Sequence, residues 1–340
     1  MQIPRSYPTV DGGKSEEGTG RPVDSGVATS LPVEQATPVL EGQLDERQHV
    51  VVGRADVDDA RAQAKMTTLL AGEPIPVANV SDVRIPVSDG STVGGRVYRP
   101  EGAGPHPLVM FFHGGGWVIC DLDTHDNIAR TICRDASAVV VSVDYRLAPE
   151  FRFPTAPTDC YDATVWAVAN AAELDVDPGR VAVCGDSAGG NLSAVVAQMA
   201  RDRGGPALSF QALIYPATNM TIREGGSLDE NAEGYFLERA DMEWFFGHYI
   251  DEAQAADLLA SPALHPRLGE LPPAYVATCE FDPLRDQGEA YAAALGAAGT
   301  PATLKRYQGQ IHGIANMTGV LEGGRTLVAE VAAAIRSALG

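Results

Sequence analysis

A serine stands between small residues in the sequence Gly-Asp-Ser-Ala-Gly at residues 185–189. The apolar run 181–184 precedes it, and a helical pattern follows over residues 190–203. A serine on so sharp a turn between strand and helix exposes its Oγ above a sheet, and small neighbours make the turn possible. The pattern therefore predicts that Ser187 is a nucleophile, while a helix N-cap serine is the plainer alternative.

A serine hydroxyl attacks a carbonyl carbon only when a base takes its proton, and that base is most often histidine. Three histidines follow Ser187, which are His248 in an aromatic segment, His265 before a proline and His312 in a loop before the last predicted helix. Where a catalytic serine stands on such a turn between strand and helix, the acid and then the histidine follow it along the chain. We therefore predict that His312 is the base.

An acidic residue should hold the base, and the segment after the apolar run 274–279 offers three candidates. Asp282 follows the predicted strand in a turn before a proline, Glu280 lies just before it, and Asp286 falls inside the next predicted helix. A carboxylate in the first turn of a helix is usually a solvated charge. We predict that Asp282 orients the imidazole and stabilises the imidazolium, with Glu280 as the alternative.

Three consecutive glycines follow His113, directly after the apolar run 108–112. Glycine loses much backbone freedom on folding, so such a run indicates a loop whose N–H groups approach a ligand. Acyl transfer places negative charge on the carbonyl oxygen, and backbone N–H groups must already point at it. We predict that Gly114, Gly115 and Ala188 form this oxyanion hole, and that His113 orients the loop rather than transferring protons.

These residues must be positioned by a regular scaffold, and the chain alternates apolar runs with helical patterns. The apolar runs are residues 108–112, 138–143, 181–184, 210–215 and 274–279, and the helical candidates are 157–172, 190–203, 285–298 and 324–338. Continuous apolar runs indicate strands buried on both faces, and their alternation with helices indicates βαβ units. The sequence thus predicts an α/β fold with a mostly parallel sheet.

Composition and net charge limit the classes of partner and cofactor that are expected. The chain has 340 residues and a formal net charge of −20, which repels nucleic-acid phosphates and anionic lipid, so neither is an expected partner. No metal-ligand spacing or phosphate loop is visible, so we expect no cofactor and no metal. The five cysteines form no C-x-x-C pair, and no apolar run reaches 18 residues. Reduced thiols, with Cys184 and Cys279 in the core, and a cytoplasmic location are expected.

The N-terminal part of the chain differs from the rest. Residues 1–45 are rich in proline, glycine, serine and acidic residues without helical or strand periodicity, which predicts a mobile arm. Residues 55–71 form a plausible helix that ends at Gly72.

Several motifs together resemble the bacterial hormone-sensitive-lipase-like carboxylesterases, an α/β-hydrolase family. They are HGGGW (113–117), VDYRLAPE (143–150), FPTAPTD (153–159), GDSAGGN (185–191), DPLRD (282–286) and HG (312–313). The resemblance implies an eight-stranded, mostly parallel sheet flanked by helices, within a catalytic domain over residues 76–340. It also implies a helical cap, formed by residues 46–75 and an insertion at about 218–250.

The resemblance carries further implications. Arg146 and Glu150 are expected to form a structural ion pair behind the site, and a homodimer is possible. Gln310 and Ile314 stand where the family often has Met and Phe, which changes the wall beside His312 and affects substrate preference rather than chemistry.

The predicted cap insertion contains four aromatic residues within one and a half helical turns, at positions 244, 245, 246 and 249. Aromatic side chains this close together cannot all share one face of a helix. We therefore expect at least one, Trp244 or Phe245, to bind substrate above Ser187, while a purely structural role for all four is the alternative.

The leading functional hypothesis is a serine carboxylesterase that hydrolyses neutral short- to medium-chain acyl esters through an acyl-enzyme. The same residues could serve a specialised hydrolase of amides, carbamates or lactones. A non-catalytic small-molecule receptor is the alternative outside enzymes, and the presence of His312 argues against it. A structural scaffold would leave the order of the three residues and the glycine run unexplained.

Overall fold

One eight-stranded sheet forms the centre of the structure. The computed structural model describes residues 56–340. The predicted arm, residues 1–45, and residues 46–55 of the predicted cap lie outside the described residues. The strands are β1 (Asn79–Pro86), β2 (Thr92–Arg99), β3 (His106–Phe112), β4 (Val139–Asp144), β5 (Val176–Asp186), β6 (Phe210–Ile214), β7 (Ala274–Phe281) and β8 (Ala302–Ile311).

The strand order brings the ends of the central strands together. The order across the sheet is β1-β2-β4-β3-β5-β6-β7-β8. The pairs β1–β2 and β2–β4 are antiparallel, and every other pair is parallel. The carboxyl ends of β3, β5 and β7 therefore lie at one edge, where ligands bind in open α/β sheets. This arrangement confirms the predicted fold class.

Helices cover the sheet and supply the segments above it. They are α1 (Val57–Ala64), α2 (Thr68–Ala71), α3 (Asp126–Ala136), α4 (Thr155–Ala169), α5 (Ala171–Leu174), α6 (Ala188–Arg203), α7 (Ser227–Glu230), α8 (Arg239–Tyr249), α9 (Arg285–Ala297) and α10 (Glu322–Leu339). Short 3₁₀ helices cover Lys65–Thr67, Glu252–Gln254, Pro262–Leu264 and Ile314–Asn316. The predicted first helix is thus three short pieces, and it ends as expected at Gly72, which has φ 79°.

Both faces of the sheet are buried, as continuous apolar runs predict. In β3, Leu108, Met110 and Phe112 join the core on one face, while Val109 and Phe111 join the core on the other. The side chains of successive strand residues point to opposite faces, so the residues of one apolar run pack into the core on both sides of the sheet. Cys184 and Cys279 are fully buried core residues, as predicted.

The predicted ion pair between Arg146 and Glu150 is wrong. Arg146 instead grips the buried carboxylate of Asp159 with two nitrogens, at 2.9 and 2.6 Å, and also contacts Asp89 at 2.7 Å. Glu150 pairs with Arg61 of α1, at 2.7 and 2.8 Å. Arg146 has partners 13 and 57 residues away and Glu150 has one 89 residues away, so the closeness of Arg146 and Glu150 in sequence did not indicate their pairing.

Candidate active site

Ser187 occupies a sharp turn between β5 and α6. Its backbone has φ 56° and ψ −117°, a conformation that non-glycine residues seldom adopt and that surrounding structure must maintain. Gly185 and Gly189 are required by close packing, since a Cβ at either position would lie within 2.5 Å of the Phe112 carbonyl oxygen. The sequence around the serine therefore serves to bring the turn against the end of β3.

Ser187, His312 and Asp282 form a continuous hydrogen-bonded line. His312 Nε2 lies 2.9 Å from Ser187 Oγ, and His312 Nδ1 lies 2.8 Å from Asp282 Oδ2. The second carboxylate oxygen of Asp282 accepts the Leu284 N–H at 2.7 Å. His312 and Asp282 are both buried, and the Tyr215 ring packs on the imidazole with 4.6 Å between ring centres. The structure thus brings together the three residues singled out in the sequence.

The alternative acid and bases lie elsewhere. Glu280 accepts the Gly309 N–H at 2.7 Å, where β7 and β8 lose regular pairing. His248 packs against Trp244 on α8, and His265 contacts Asp202 at 2.9 Å beside α6. The described contacts of these residues do not include Ser187.

The Gly114 N–H is not available to a substrate, which corrects one of the predicted oxyanion donors. It donates to Asp186 Oδ1 at 2.9 Å and also lies 3.3 Å from His125 Nε2. Asp186 is the last residue of β5, directly before the serine. Its carboxylate therefore ties the glycine loop to the turn that carries Ser187.

Two other glycine amides and one helix amide remain as donors. Within residues 56–340, the N–H groups of Gly115 and Gly116 have no backbone or side-chain acceptor. Their φ values are 108° and 57°, which glycine adopts without a Cβ clash. Ala188 is the first residue of α6, where helical N–H groups lack intrahelical acceptors and favour negative charge.

Sequence reasoning missed a buried polar network behind the glycine loop. His125 Nε2 lies 3.1 Å from Asp186 Oδ1 and 3.3 Å from Asn316 Nδ2. Burial, the largest single effect, raises the pKa of the Asp186 carboxyl, but the nearby His125, His312 and His113 together outweigh it and leave the pKa below its ordinary value. The network joins the glycine loop, the serine turn and the segment after His312. The only sequence signal was an aspartate before the serine.

His113 is buried in the neutral form, consistent with a role in holding the loop. Burial, reinforced by nearby His125, lowers the pKa of His113 to about 4. His113 Nδ1 donates to the Gly114 carbonyl at 2.7 Å, and the ring stacks on Tyr145 at 4.4 Å. Its Nε2 has no hydrogen-bond partner in the described part of the chain, so a proton there would be unpaired.

The depressed pKa of His113 should make folding less favourable in mild acid. An unfolded histidine binds a proton near pH 6.5, whereas folded His113 resists protonation down to about pH 4. This group therefore leaves stability intact above pH 6.5 and removes about 3 kcal/mol as the pH falls to 4. Urea unfolding across this range should show a weaker pH dependence for His113→Gln. Parallel curves for the two proteins would contradict buried, neutral His113.

The cap insertion, residues 218–250, contacts the site through Phe245, one of the two expected aromatic residues, and through Phe236, which was not expected. A Cβ at Gly116 would lie 2.3 Å from the Phe245 ring, so Phe245 packs directly on the glycine loop. Trp244 packs edge-on against Phe245 at 5.3 Å. The exposed ring of Phe236, which was not predicted, lies against Gly313, where a Cβ would approach it within 2.8 Å.

The comparisons with known proteins agree with this geometry. A family model described as the alpha/beta hydrolase fold matches residues 109–316. The chain belongs to the α/β-hydrolase family. Among its relatives is the carboxylic ester hydrolase LipN of Mycobacterium tuberculosis, 43% identical over 314 residues that cover 89% of this chain and 83% of LipN.

Two further relatives of this α/β-hydrolase are also esterases. The ethyl acetate hydrolase of Pseudomonas putida is 37% identical over 78% of this chain and 86% of its own length. The crystal structure of EstE1, a thermostable carboxylesterase from a metagenomic library, superposes with a TM-score of 0.82 at 45% identity, covering 84% of this chain and 98% of EstE1. These comparisons confirm the predicted hormone-sensitive-lipase-like family, its fold and its enzyme class.

Gln310 and Ile314, which were expected to change the wall beside the base, differ in position. Ile314 is buried in the apolar core on one face of the sheet. Gln310 lies against the start of α10, where a Cβ at Gly323 would meet its side-chain oxygen at 2.1 Å. Neither contact involves the His312 ring.

No group of side chains in residues 56–340 has the arrangement of a metal site. None of the helices in that range has the length and hydropathy needed to cross a membrane.

Proposed function

We propose that this α/β-hydrolase is a serine carboxylesterase that hydrolyses neutral esters with short to medium acyl chains through an acyl-enzyme. The observation that carries the proposal is the position of His312, whose two ring nitrogens lie 2.9 Å from Ser187 Oγ and 2.8 Å from Asp282. A neutral imidazole so placed can take the serine proton as the oxygen attacks the ester carbon.

The proposed reaction passes through two tetrahedral intermediates. Ser187 Oγ bonds to the ester carbon while its proton moves to His312 Nε2, and Asp282 stabilises the imidazolium. The new oxyanion accepts hydrogen bonds from the N–H groups of Gly115, Gly116 and Ala188. His312 then protonates the departing alcohol, and the acyl group remains on the serine. Water, deprotonated by His312, attacks this acyl-enzyme. As the second intermediate breaks down, His312 returns that proton to Ser187 Oγ and the acid is released.

Substrate size is inferred from the cap. Phe245 packs on Gly116, so a rigid ring stands beside the proposed oxyanion donors. Such a ring limits the space for a long acyl chain. The ethyl acetate hydrolase among the relatives supports a preference for short esters. The predicted homodimer and cytoplasmic location stay predictions.

A series of p-nitrophenyl esters tests the proposal. We expect kcat/KM to be highest for acyl chains of about two to eight carbons, with each methylene contributing at most about 0.8 kcal/mol until the pocket is full. Amide, carbamate and lactone substrates measured alongside should be poorer. A higher kcat/KM on one of these classes would replace the ester assignment, and preference for emulsified long-chain triglycerides would contradict the narrow pocket.

The same series locates the end of the pocket. Phe245→Ala removes the ring beside Gly116 and should shift the best substrate to longer acyl chains. Trp244→Ala is the matched control, because Trp244 contacts Phe245 edge-on, whereas the atoms nearest to a Cβ at Gly116 all belong to Phe245; it should change the optimum less. An unchanged optimum in Phe245→Ala would place the acyl pocket elsewhere.

A further inference from the structure

The segment after the proposed oxyanion glycines has a backbone that needs outside support. Gly115 and Gly116 have positive φ, and so do Trp117, with φ 62°, and Cys120, with φ 71°. Bulky residues adopt this region only where the surrounding structure holds them there. Contacts with other segments of the chain must therefore hold residues 115–120, which we call the oxyanion loop, in this conformation.

One support is the cap insertion. Trp117 stacks on Tyr249 of α8 with 4.5 Å between ring centres and 4° between ring planes. The Trp117 carbonyl also accepts the Ala148 N–H at 2.9 Å. These contacts fix the position of residue 117, but they do not involve the next carbonyl along the chain, that of Val118.

The second support is Arg61 of α1. Its Nε donates to the Val118 carbonyl at 3.0 Å, and its Nη2 donates to the Ala148 carbonyl at 3.0 Å. The same guanidinium is held by both carboxylate oxygens of Glu150, at 2.8 and 2.7 Å. One planar, multidentate group thus bridges the oxyanion loop and residues 148–150, which the single ammonium of lysine cannot reproduce.

The contact between Arg61 and the Val118 carbonyl affects the proposed oxyanion donor Gly116 through the Gly115–Gly116 peptide unit. The N–H groups of Val118 and Ile119 both donate to the Gly115 carbonyl at 3.0 Å. That carbonyl shares a peptide plane with the Gly116 N–H, and the two groups point in opposite directions in a trans peptide. Fixing residues 118 and 119 therefore fixes the direction in which the Gly116 N–H points.

We propose that Arg61 is a positioning residue for the oxyanion hole, so that helix α1 supports transition-state stabilisation as well as packing. The proposal rests on the proposed function in its assignment of Gly116 as an oxyanion donor. Arg61 itself does not contact the reacting atoms. Loss of its contacts should let the Gly115–Gly116 peptide rotate away from the substrate oxygen, and a misdirected donor weakens binding of the transition state more than binding of the substrate.

Steady-state kinetics of Arg61→Ala test the proposal. Loss of one oxyanion donor costs about 10²- to 10³-fold in kcat, so loosening one should lower kcat by about 10- to 100-fold with KM nearly unchanged. An alkyl trifluoromethyl ketone, whose adduct with Ser187 carries an oxyanion, should bind more weakly by a similar factor. Arg61→Lys should lie between Arg61→Ala and the wild type, and it carries the test if Arg61→Ala does not fold.

Two further variants separate positioning from general stability. Arg152→Ala removes an arginine that donates to the Gly247 carbonyl and contacts Asp251, so it loosens a connection to the cap without touching the oxyanion loop. Glu150→Gln leaves the two carbonyl acceptors of Arg61 in place but replaces one of the oxygens that hold the guanidinium, so it should lower kcat less than Arg61→Ala does. Arg152→Ala should retain wild-type kcat, and thermal unfolding should be measured for all four variants.

The result that overturns the proposal is a folded Arg61→Ala with wild-type kcat and wild-type inhibitor affinity. A fall in kcat that Arg152→Ala reproduces at equal loss of thermal stability would also overturn it, because the effect would then be a general one. Failure of the proposed function looks different, since ester turnover by the wild type would survive Ser187→Ala.

Discussion

Replacement of Ser187 by alanine should lower kcat for p-nitrophenyl acetate by about 10⁴- to 10⁶-fold while the protein stays folded. The serine oxygen is the atom that bonds to the ester carbon in the proposed reaction, and its loss leaves only binding and the oxyanion donors. The alanine side chain still fits the turn at φ 56°, because it has the same Cβ as serine and lacks only the Oγ. Circular dichroism should confirm the fold.

The kcat of the double variant Ser187→Ala/His312→Ala should lie within a small factor of the kcat of either single variant. His312 acts through the proton of Ser187, to which it is hydrogen-bonded at 2.9 Å. Once the nucleophile is gone, the base has no function left to lose, and losses within such a unit do not add. Losses that multiplied would indicate two independent routes.

Ser193→Ala is the matched control for the serine. Ser193 lies in α6, the helix that follows Ser187, and is buried, but its hydroxyl donates to the Gly189 carbonyl at 2.8 Å. A helix interior tolerates alanine well, so turnover should stay near that of the wild type. If Ser193→Ala abolished turnover and Ser187→Ala did not, the nucleophile would be misassigned.

The sequence predicted those parts of the site that short, local sequence patterns indicate. Apolar runs located the central strands because strands buried on both faces need continuous apolar sequence. Ser187, Asp282 and His312 each follow a strand or precede a helix, so their places between predicted elements, together with chain order, selected them. Spatial contact among residues 125 positions apart then followed from the parallel order of the strands.

The parts that sequence did not predict depend on contacts between distant segments. The path of the loop decides which glycine N–H faces a substrate. The Gly114 N–H does not, because it donates to Asp186 at the end of the neighbouring strand. Arg146 and Glu150 are close in sequence but point to different neighbours, Asp159 and Arg61. Charge pattern cannot choose between partners when several acids and bases are within reach.

The His125 network illustrates the same limit. A histidine before a helix has many plausible roles, and nothing in the residues around position 125 indicates a buried carboxylate as its neighbour. The strand order places the start of α3 behind the end of β5, and only then do His125 and Asp186 meet at 3.1 Å.

Asp282→Asn should lower kcat by about 10⁴-fold with little change in the fold, because it reverses the tautomer of the base. The Leu284 N–H donates to Oδ1 of Asp282 at 2.7 Å, so the asparagine carbonyl oxygen must occupy that position. Its amide nitrogen then faces His312 Nδ1 and donates to it. The ring proton moves to Nε2, which points at Ser187 and can no longer accept the hydroxyl proton.

Glu280→Gln is the matched control and also tests the alternative acid. Glu280 accepts the Gly309 N–H through one oxygen at 2.7 Å, and the carbonyl of glutamine can accept the same bond. This change should alter kcat by no more than about threefold, or about 0.7 kcal/mol in activation free energy, because the described contact of the Glu280 carboxylate is with the Gly309 N–H and not with His312. If Glu280→Gln lost activity while Asp282→Asn kept it, Glu280 would be the acid that orients His312. The two variants differ from the wild type by the same exchange of a carboxylate oxygen for an amide nitrogen, so only the contact with the imidazole separates them.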